Sequence, residues 1–208
     1  MAKRLILVAG NIGSGKTSLT QRIGERLGWR TAYESVSDNP YLPNFYADMK
    51  SWSFHLQIFF LGHRAEQQID LWNDPHSAII DRSIYEDAYI FAANLYKSKL
   101  MTERDYWNYR SLFDSMITHV KAPDLLIYLK ADIPKLVGQI EKRGRTYETA
   151  MRIDYLKNLN SHYEEWISGY KEGKLLIIDV NDLDFVERPE DFSFIVEKIE
   201  REMFGLFA

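Results

Sequence analysis

Short apolar runs alternate along the chain with longer segments in which apolar residues recur every three or four positions. Five of the short runs predict β-strands: KRLILVAG, WRTAYE, HSAIID, APDLLIYLK and KLLIIDV. Strands that alternate with helices favour a parallel sheet with helices packed on both faces. The pattern therefore predicts an α/β fold of three layers, built on a five-stranded parallel sheet.

The helices are predicted from apolar spacing and from residues that begin or end helices. One follows KRLILVAG, and a long apolar helix is predicted for SWSFHLQIFFLGHRAEQQIDLW. Others are predicted at about 102–119, at DIPKLVGQIEKRG, at about 147–170 and at PEDFSFIVEKIEREMF. SDNPYLPNFY is interpreted as a turn. No repeat or linker interrupts this order, so residues 1–208 are predicted to form one domain.

Composition narrows the class of protein. The chain has 208 residues, 46% of them hydrophobic, which is enough to bury a substantial core. A net charge of −4 gives no reason to expect binding to nucleic acid or to an anionic membrane. There is no cysteine, the histidines lack zinc spacing, and no apolar run has the length of a signal-peptide core or a membrane span. We therefore expect a cytoplasmic protein without disulfides.

The segment GNIGSGKTS matches the phosphate-binding pattern G-x-x-x-x-G-K-[ST] and lies between a predicted strand and a predicted helix. Its glycines let backbone N–H groups turn inward and hold phosphate at the helix N-terminus. We expect the Lys16 side chain to reach the transferred phosphate and the Thr17 hydroxyl to meet Mg²⁺. The predicted nucleoside-triphosphate site comprises Gly10, Asn11, Ile12, Gly13, Ser14, Gly15, Lys16, Thr17 and Ser18.

A second set of residues suits an acceptor substrate. The chain lacks the N-K-x-D motif of guanine-binding proteins and is short for a motor ATPase, which favours a kinase of a small molecule. A hydroxyl acceptor must lose a proton as it attacks phosphorus, and Glu34 is the candidate base. Gln57 and Arg64 are seven positions apart and share one helix face. That face suits either a base edge or a polar surface stripe.

AIIDRSIYEDAYIFA combines a helix start with charges that a helix start does not require. Ser83 and Glu86 have the spacing of a capping box, in which each side chain bonds an N–H at the helix start. Asp81 ends the strand, where phosphate-loop enzymes hold Mg²⁺ through water. Arg82 is placed to bridge phosphate and the acceptor oxygen.

Two further groups have both a structural and a functional interpretation. Asp87 and Phe91 lie one helical turn apart, so they can face a base together, but burial of the phenylalanine in the core is an open alternative. Arg143 and Arg145 flank a glycine. This arrangement fits a basic helix end with a glycine cap, or a lid at about 142–149 that closes over the triphosphate.

Together these motifs resemble the deoxynucleoside kinase family, which phosphorylates the 5′-hydroxyl of deoxynucleosides with ATP. The resemblance covers nearly the whole chain in the family's order: GNIGSGKTS, YESV, FYADMKSWSFHLQ, DRSIYEDAYIFA, KRGRTYE and IIDVNDLDF. ESVSDNPYLPNFY is most similar to the bacterial deoxyadenosine/deoxyguanosine kinase branch. The resemblance implies a P-loop kinase fold, ATP as phosphate donor with Mg²⁺, and a homodimer.

The resemblance also implies a role for each motif. The implied catalytic residues are Glu34, Arg82 and Lys16, and the implied metal contacts are Thr17 and Asp81. The implied contacts with the deoxynucleoside are Glu34, Tyr46, Gln57, Arg64, Arg82, Asp87, Phe91 and Glu148, of which Tyr46 and Glu148 hold the 3′-hydroxyl. On the ATP side it implies two lid arginines and a loop that senses the donor base, namely Arg143, Arg145, Asp184 and Phe185.

The chain departs from the family pattern at several positions. Asp81 stands where glutamate is frequent, and this shorter side chain implies a metal contact through water. Many members have Glu-Pro-Val where this chain has ESV, and Gln139 replaces a lid arginine found in some members. Phe60, four residues before Arg64, is expected to narrow or redirect the choice of base.

We therefore expect an ATP- and Mg²⁺-dependent deoxynucleoside 5′-kinase that favours deoxyadenosine, with deoxyguanosine or deoxycytidine as alternatives. A nucleoside monophosphate kinase would need more basic residues for the acceptor phosphate. A non-catalytic scaffold would be expected to lose Lys16, Glu34 or Arg82, all of which are present. The aromatic-rich helices at 52–72 and 84–96 are the candidate dimer interface, and no nucleic-acid or membrane partner is expected.

Overall fold

A computed structural model of the chain describes residues 3–33, 39–145 and 152–205. Within these ranges one parallel sheet has the strand order β2-β3-β1-β4-β5. Its five strands are β1 (Leu5–Gly10), β2 (Arg30–Ala32), β3 (Ala78–Asp81), β4 (Leu125–Lys130) and β5 (Lys174–Asp179). The predicted α/β fold with a five-stranded parallel sheet is confirmed.

Helices cover both faces of this sheet. They are α1 (Lys16–Leu27), α2 (Leu42–Ala47), α3 (Met49–Asn73), α4 (Ile84–Glu86), α5 (Ala93–Lys97), α6 (Glu103–Ile117), α7 (Ile133–Arg143), α8 (Ile153–Ser168) and α9 (Pro189–Phe204). A π-helical segment, Asp87–Ala92, joins α4 to α5, so these three form one continuous helix. No helix in the described ranges has both the length and the apolar character needed to cross a membrane.

Successive side chains of β1 point to opposite faces of the sheet, and the core accordingly has two layers. Leu5 and Leu7 pack with residues of α3, α6 and α8 on one face, whereas Ile6 and Val8 pack with α1, α7 and α9 on the other. The central strand is fully buried on both faces, which explains why KRLILVAG is an uninterrupted apolar run.

The order of the strands sets the position of the functional loops. β1 pairs with β3 so that Val8 lies opposite Asp81. The loop after β1 and the turn after β3 therefore leave the sheet side by side at its carboxyl edge. In parallel sheets this edge, beside a reversal of strand order, is where ligands bind.

One short helix was not predicted, and the start of another helix differs from its prediction. SDNPYLPNFY contains more than a turn, because α2 begins within it and has Pro43 in its first turn, where the missing N–H has no helical partner to lose. Of the helix predicted at about 147–170, residues 147–151 lie outside the described ranges, and α8 begins at Ile153, after Arg152 in an extended conformation. The buried residues of α8 start only at Leu156, so core packing supports the helix from there.

Candidate active site

A cavity of about 540 Å³ opens at the carboxyl edge of β1 and β3. The predicted site residues that line it are Ile12, Gly13, Lys16, Thr17, Tyr46, Gln57, Asp81, Arg82, Asp87, Phe91, Arg143 and Arg145. Residues from distant parts of the chain thus meet at one space, with the phosphate loop on one side and α3 on the other.

The phosphate loop curls because its glycines adopt left-handed or related conformations. Gly13 and Gly15 have φ values of 87° and 92°. A Cβ on Gly13 would lie 2.7 Å from the Leu136 carbonyl oxygen, and one on Gly15 would lie 2.7 Å from Cζ of Phe185. Neither position has room for a side chain, so both glycines are required by the fold of the loop.

Other residues of the loop secure it to its surroundings. The Lys16 ammonium donates to the Gly10 carbonyl at 2.8 Å and to the Asn11 carbonyl at 3.0 Å. The buried Asn11 amide donates to the Leu156 carbonyl at 3.0 Å, and Ser14 is also buried. Ser18 lies in the first turn of α1 and is half-buried.

Thr17 and Asp81 are adjacent in the lining of the cavity. The Thr17 hydroxyl donates to Asp81 Oδ2 at 2.5 Å. Asp81 is buried, and its Oδ1 atom has no hydrogen-bond partner within the described ranges. Mg²⁺ prefers oxygen ligands, and it binds through one or two carboxylates together with substrate phosphates and water. This donor set fits Mg²⁺.

Arg82 has a strained backbone and a constrained side chain. Its φ is 73°, a conformation that costs a non-glycine residue about 1–3 kcal/mol. The guanidinium carbon lies 4.4 Å from the centre of the Phe91 ring, and one guanidinium nitrogen lies 4.0 Å from Glu86 Oε1. Strain held in this way is frequent at functional sites because the surrounding structure fixes the side chain where it is needed.

The inner face of α3 carries polar residues at helical spacing. Ser53 donates to the Leu100 carbonyl at 2.8 Å, and Gln68 donates to the Lys121 carbonyl at 3.0 Å, so both have structural partners. Gln57 differs, because it lines the cavity and its buried Oε1 has no hydrogen-bond partner in the described part of the chain. A buried amide oxygen without a partner is costly unless a ligand supplies one.

Arg64 and Asp87 form a buried ion pair, with 2.5 Å between Arg64 Nε and Asp87 Oδ2. The aspartate lines the cavity, whereas the arginine lies behind it, beside Phe60. Removing one partner of such a pair costs about 3–5 kcal/mol because the other charge is left buried. The arginine thus orients the carboxylate that faces the cavity.

Phe91 is half-buried and lines the cavity as well as packing against the core. It belongs to the π-helical segment, which the sequence pattern does not predict. Such segments are rare and frequent at functional sites. Tyr155, at the start of α8, was also missed and lines the cavity. Burial raises the pKa of Tyr155 to about 12, although the nearby Arg82 opposes that rise.

An apolar wall of the cavity is likewise absent from the sequence-based site. It consists of Leu42 and Phe45 from α2 together with Leu56 from α3. Tyr46, predicted to hold a sugar hydroxyl, lies at the end of the same wall. The signal for this wall was present in SDNPYLPNFY, but its prolines favour a turn when considered alone.

Asp184 and Phe185 lie on the opposite side of the phosphate loop. Phe185 is buried against Gly15, and Arg22 of α1 donates to its carbonyl oxygen. Asp184 accepts from the Glu187 backbone N–H at 3.2 Å. Among the described residues the cavity lining includes neither of the two, and their contact with a donor base stays a prediction.

Two predicted site residues, Glu34 and Glu148, lie outside the described ranges, as do residues 146–149 of the predicted lid. Of that lid, residues 142–145 are described. α7 ends at Gly144 in a left-handed conformation, as the capping pattern predicts, and Arg143 and Arg145 nevertheless face the cavity. The helix-end interpretation of this basic segment is therefore confirmed, and its role as a lid stays a prediction.

Comparison with known proteins assigns a family. The family model "Deoxynucleoside kinase" matches residues 6–204. A deoxyadenosine/deoxycytidine kinase of Bacillus subtilis is 39% identical over 197 residues, which cover 94% of this chain and 91% of that protein. A deoxyguanosine kinase of the same organism is 32% identical and covers 94% of this chain and 95% of its own length.

Solved structures agree. A deoxyadenosine kinase from M. mycoides with bound dATP superimposes with a TM-score of 0.84 at 27% sequence identity, covering 95% of this chain and 99% of that chain. The same enzyme with dCMP and a flexible dCDP superimposes with a TM-score of 0.82. Sequence, fold and the arrangement of the cavity lead to one conclusion: the chain belongs to the deoxynucleoside kinase family.

Proposed function

We propose that this deoxynucleoside kinase transfers the γ-phosphoryl group of ATP to the 5′-hydroxyl of deoxyadenosine, with Mg²⁺ as the metal cofactor. One observation carries the proposal: the cavity joins the Lys16 ammonium at one end to the Gln57 amide oxygen at the other, and that oxygen has no hydrogen-bond partner among the described residues. A nucleoside placed between them would direct its base to α3 and its 5′-oxygen to the phosphate loop.

At the phosphate end, positive charge surrounds the group to be transferred. Lys16 and the lid arginines Arg143 and Arg145 would neutralise the charge that develops on the phosphoryl oxygens. Thr17 and Asp81 would hold Mg²⁺, which adds charge neutralisation and orients the phosphates when it is bound. The donor base would lie toward Asp184 and Phe185.

At the acceptor end, Glu34 is proposed as the base that removes the 5′-hydroxyl proton. Arg82 would contact the 5′-oxygen and the transferred phosphate, since its guanidinium is held in the cavity between Glu86 and Phe91. Tyr46 and Glu148 would bind the 3′-hydroxyl.

Preference for a base follows from the group that Asp87 presents. Its carboxylate accepts hydrogen bonds and is oriented by Arg64, so it favours a base with an amino group at the position of adenine C6 or cytosine C4, beside an acceptor ring nitrogen. Gln57 can accept from that amino group and donate to the adjacent ring nitrogen. Thymine and guanine would instead direct a carbonyl oxygen at the carboxylate, and an unpaired buried polar group gives strong discrimination.

Adenine and cytosine both present an amino group beside an acceptor ring nitrogen, which makes deoxycytidine the second candidate. The Bacillus subtilis relative named for both deoxyadenosine and deoxycytidine agrees with that order. Deoxyguanosine is the third candidate, because other relatives carry its name.

A panel assay tests the proposal. Phosphorylation of the four deoxynucleosides and their monophosphates is measured with ATP, with and without EDTA. We expect kcat/KM to be highest for deoxyadenosine, lower for deoxycytidine, and at least tenfold lower for thymidine; EDTA should abolish turnover. Preference for deoxyguanosine or thymidine would contradict the role proposed for Asp87.

Glu34→Gln tests the proposed base. The amide keeps the shape of the side chain but cannot take the proton, so kcat should fall by at least about a hundredfold. Binding of deoxyadenosine, measured by calorimetry without ATP, should change little. Glu25→Gln, on the exposed side of α1, is a control that should retain full activity. Substantial turnover by the Glu34 variant would require another base.

The homodimer implied by the resemblance is proposed as well. Of the two candidate interface helices, the one at 84–96 is buried within the chain except at Tyr89, Phe91 and Tyr96, so the exposed side of 52–72 is the candidate that remains. Sedimentation velocity of the full chain would test it. A monomer at micromolar concentration would contradict it.

A further inference from the structure

We infer that Glu86 is a positioning residue for phosphoryl transfer, joining the start of the phosphate loop to the strained turn at Arg82, and that Tyr163 completes this link. A helix cap does not account for the full set of contacts that Glu86 makes. The inference rests on the proposed function in one respect, namely that Arg82 contacts the reacting oxygens.

Glu86 is fully buried and accepts four hydrogen bonds from three residues. Its Oε2 accepts from the Ser83 N–H at 2.7 Å and from the Ser83 hydroxyl at 3.0 Å, which belongs to the capping box. Its Oε1 accepts from the Gly10 N–H at 3.2 Å and from the Tyr163 hydroxyl at 2.7 Å. A capping box needs only the contacts with Ser83.

The contacts of Oε1 fix the point where β1 becomes the phosphate loop. Gly10 has a φ of 153°, and its N–H is bound by Glu86. Its carbonyl oxygen lies 2.8 Å from the Tyr163 hydroxyl and 2.8 Å from the Lys16 ammonium. The two peptide groups that flank the Gly10 Cα are thereby tied to Glu86, to α8 and to the loop's own lysine.

The contacts of Oε2 fix the turn that carries Arg82. The residue before Ser83 has a left-handed backbone, and its N–H donates to the Val8 carbonyl at 2.9 Å. With Glu86 bound to the Ser83 N–H, the peptides on both sides of Arg82 are held. Glu86 Oε1 also lies 4.0 Å from the guanidinium. Loss of these contacts would let the backbone relax to negative φ and redirect the side chain.

This arrangement requires a carboxylate. Each oxygen of Glu86 faces a backbone N–H, one from Gly10 and one from Ser83. In Glu86→Gln the side chain has the same size, but its NH₂ group must face one of these N–H groups in either orientation. The variant therefore loses the hydrogen bond to either Gly10 or Ser83 while the volume of the side chain is kept.

The experiment measures kcat, KM for ATP, KM for the deoxynucleoside and the melting temperature of wild type, Glu86→Gln, Tyr163→Phe and the double variant. We expect Glu86→Gln to lower kcat at least about tenfold, with KM for the deoxynucleoside changed less than about threefold, because misplacement affects the transfer step more than base binding. Tyr163→Phe should lower kcat about threefold to tenfold, since the carboxylate remains. The double variant should be no slower than Glu86→Gln, because the shared contact is already lost.

Thr102→Ala is the matched control. It removes the N-cap of α6, where the hydroxyl accepts from the Asp105 N–H at 3.2 Å, and Thr102 is not part of the cavity lining. It should lower the melting temperature and leave kcat unchanged. If Glu86→Gln does not fold, Tyr163→Phe carries the test, since it leaves the capping box intact.

Wild-type kcat in a folded Glu86→Gln or Tyr163→Phe variant, or additive effects in the double variant, would overturn the inference. All variants are assayed with the deoxynucleoside that the wild type phosphorylates fastest. If the proposed base preference or reaction is wrong, the kinetics of the wild type will show it. If this inference is wrong, only the kinetics of the variants will depart from expectation.

Discussion

At the scale of single residues, two buried glutamines of α3 show how position decides role. Gln57 and Gln68 are 3% and 2% exposed. Gln68 donates to the Lys121 carbonyl and holds the segment between α6 and β4 to α3, whereas the Gln57 amide oxygen has no partner among the described residues. One residue type on one helix face thus serves structure in one place and is available to a ligand in the other.

Substituting methionine for each glutamine separates these roles. Gln57→Met should raise KM for deoxyadenosine roughly tenfold to a hundredfold, because about 1–3 kcal/mol of hydrogen bonding to the base is lost, and should leave KM for ATP unchanged. Its stability should be equal to or above that of wild type. Gln68→Met should leave both KM values unchanged and lower the free energy of unfolding by about 1–3 kcal/mol, because the Lys121 carbonyl loses its donor. Steady-state kinetics and denaturant titration provide these values, and equal KM effects for the two variants would contradict the assignment.

At the scale of elements, the continuous helix from α4 to α5 combines several functions. Its first turn is closed by Ser83 and Glu86, its π-helical middle directs Asp87 and Phe91 to the cavity, and its end is a left-handed turn at Lys99. That turn bonds the Leu100 N–H to the Leu95 carbonyl at 2.8 Å, as glycine-terminated helices do.

Lys99→Gly should therefore stabilise the protein. Lysine at a φ of 59° is strained by its Cβ, and glycine removes that strain while making the unfolded chain more flexible. The net gain should be about 0.5–1 kcal/mol, visible as a higher midpoint in urea. Lys97→Gly, two residues earlier in a helical conformation, should instead destabilise by about 1 kcal/mol. A loss of stability in Lys99→Gly would show that the lysine side chain contributes more than the strain costs.

At the scale of the whole molecule, α8 connects distant parts of the fold. Leu156 and Asn160 accept hydrogen bonds from Asn11 of the phosphate loop, and the Tyr163 hydroxyl bonds at the start of that loop. Burial, followed by the charge of Glu86, raises the pKa of Tyr163 well above its usual range, so its hydroxyl stays protonated and able to donate. On the other side, His162 of α8 lies beside Lys97 at the end of α5.

The junction of α5 and α8 should make stability depend on pH. Burial, aided by the positive charge of Lys97, lowers the pKa of His162 below its ordinary value of 6.5. The unfolded chain therefore binds a proton that the folded chain resists, and the free energy of unfolding should fall as pH decreases from about 7 through 5.5. His162→Gln should flatten this part of the profile, and the exposed His119→Gln should not. Urea titrations at several pH values measure the free energy of unfolding. The same dependence of that free energy on pH in wild type and His162→Gln would contradict the prediction.

Much of the fold follows from local patterns. The five strands, the ends of α6, α7 and α9, and the capping box were predicted because apolar period and capping residues act within a few positions. The start of α8 and the existence of α2 were not predicted. Both depend on packing against distant residues, which outweighs propensity.

The sequence by itself determined the phosphate loop, because its glycines, its lysine and the flanking strand and helix are consecutive and their geometry is local. It also determined the family, through the order of several motifs. Only the tertiary structure decided that Phe91 is a cavity wall as well as core, that Gln57 rather than Gln68 faces the ligand space, and that Glu86 reaches Gly10 and Tyr163. Glu86 is 76 positions from Gly10 and 77 positions from Tyr163 along the chain. The three residues meet because the parallel sheet places β1 beside β3 and α8 over both. Periodicity along a chain carries no information about such pairings.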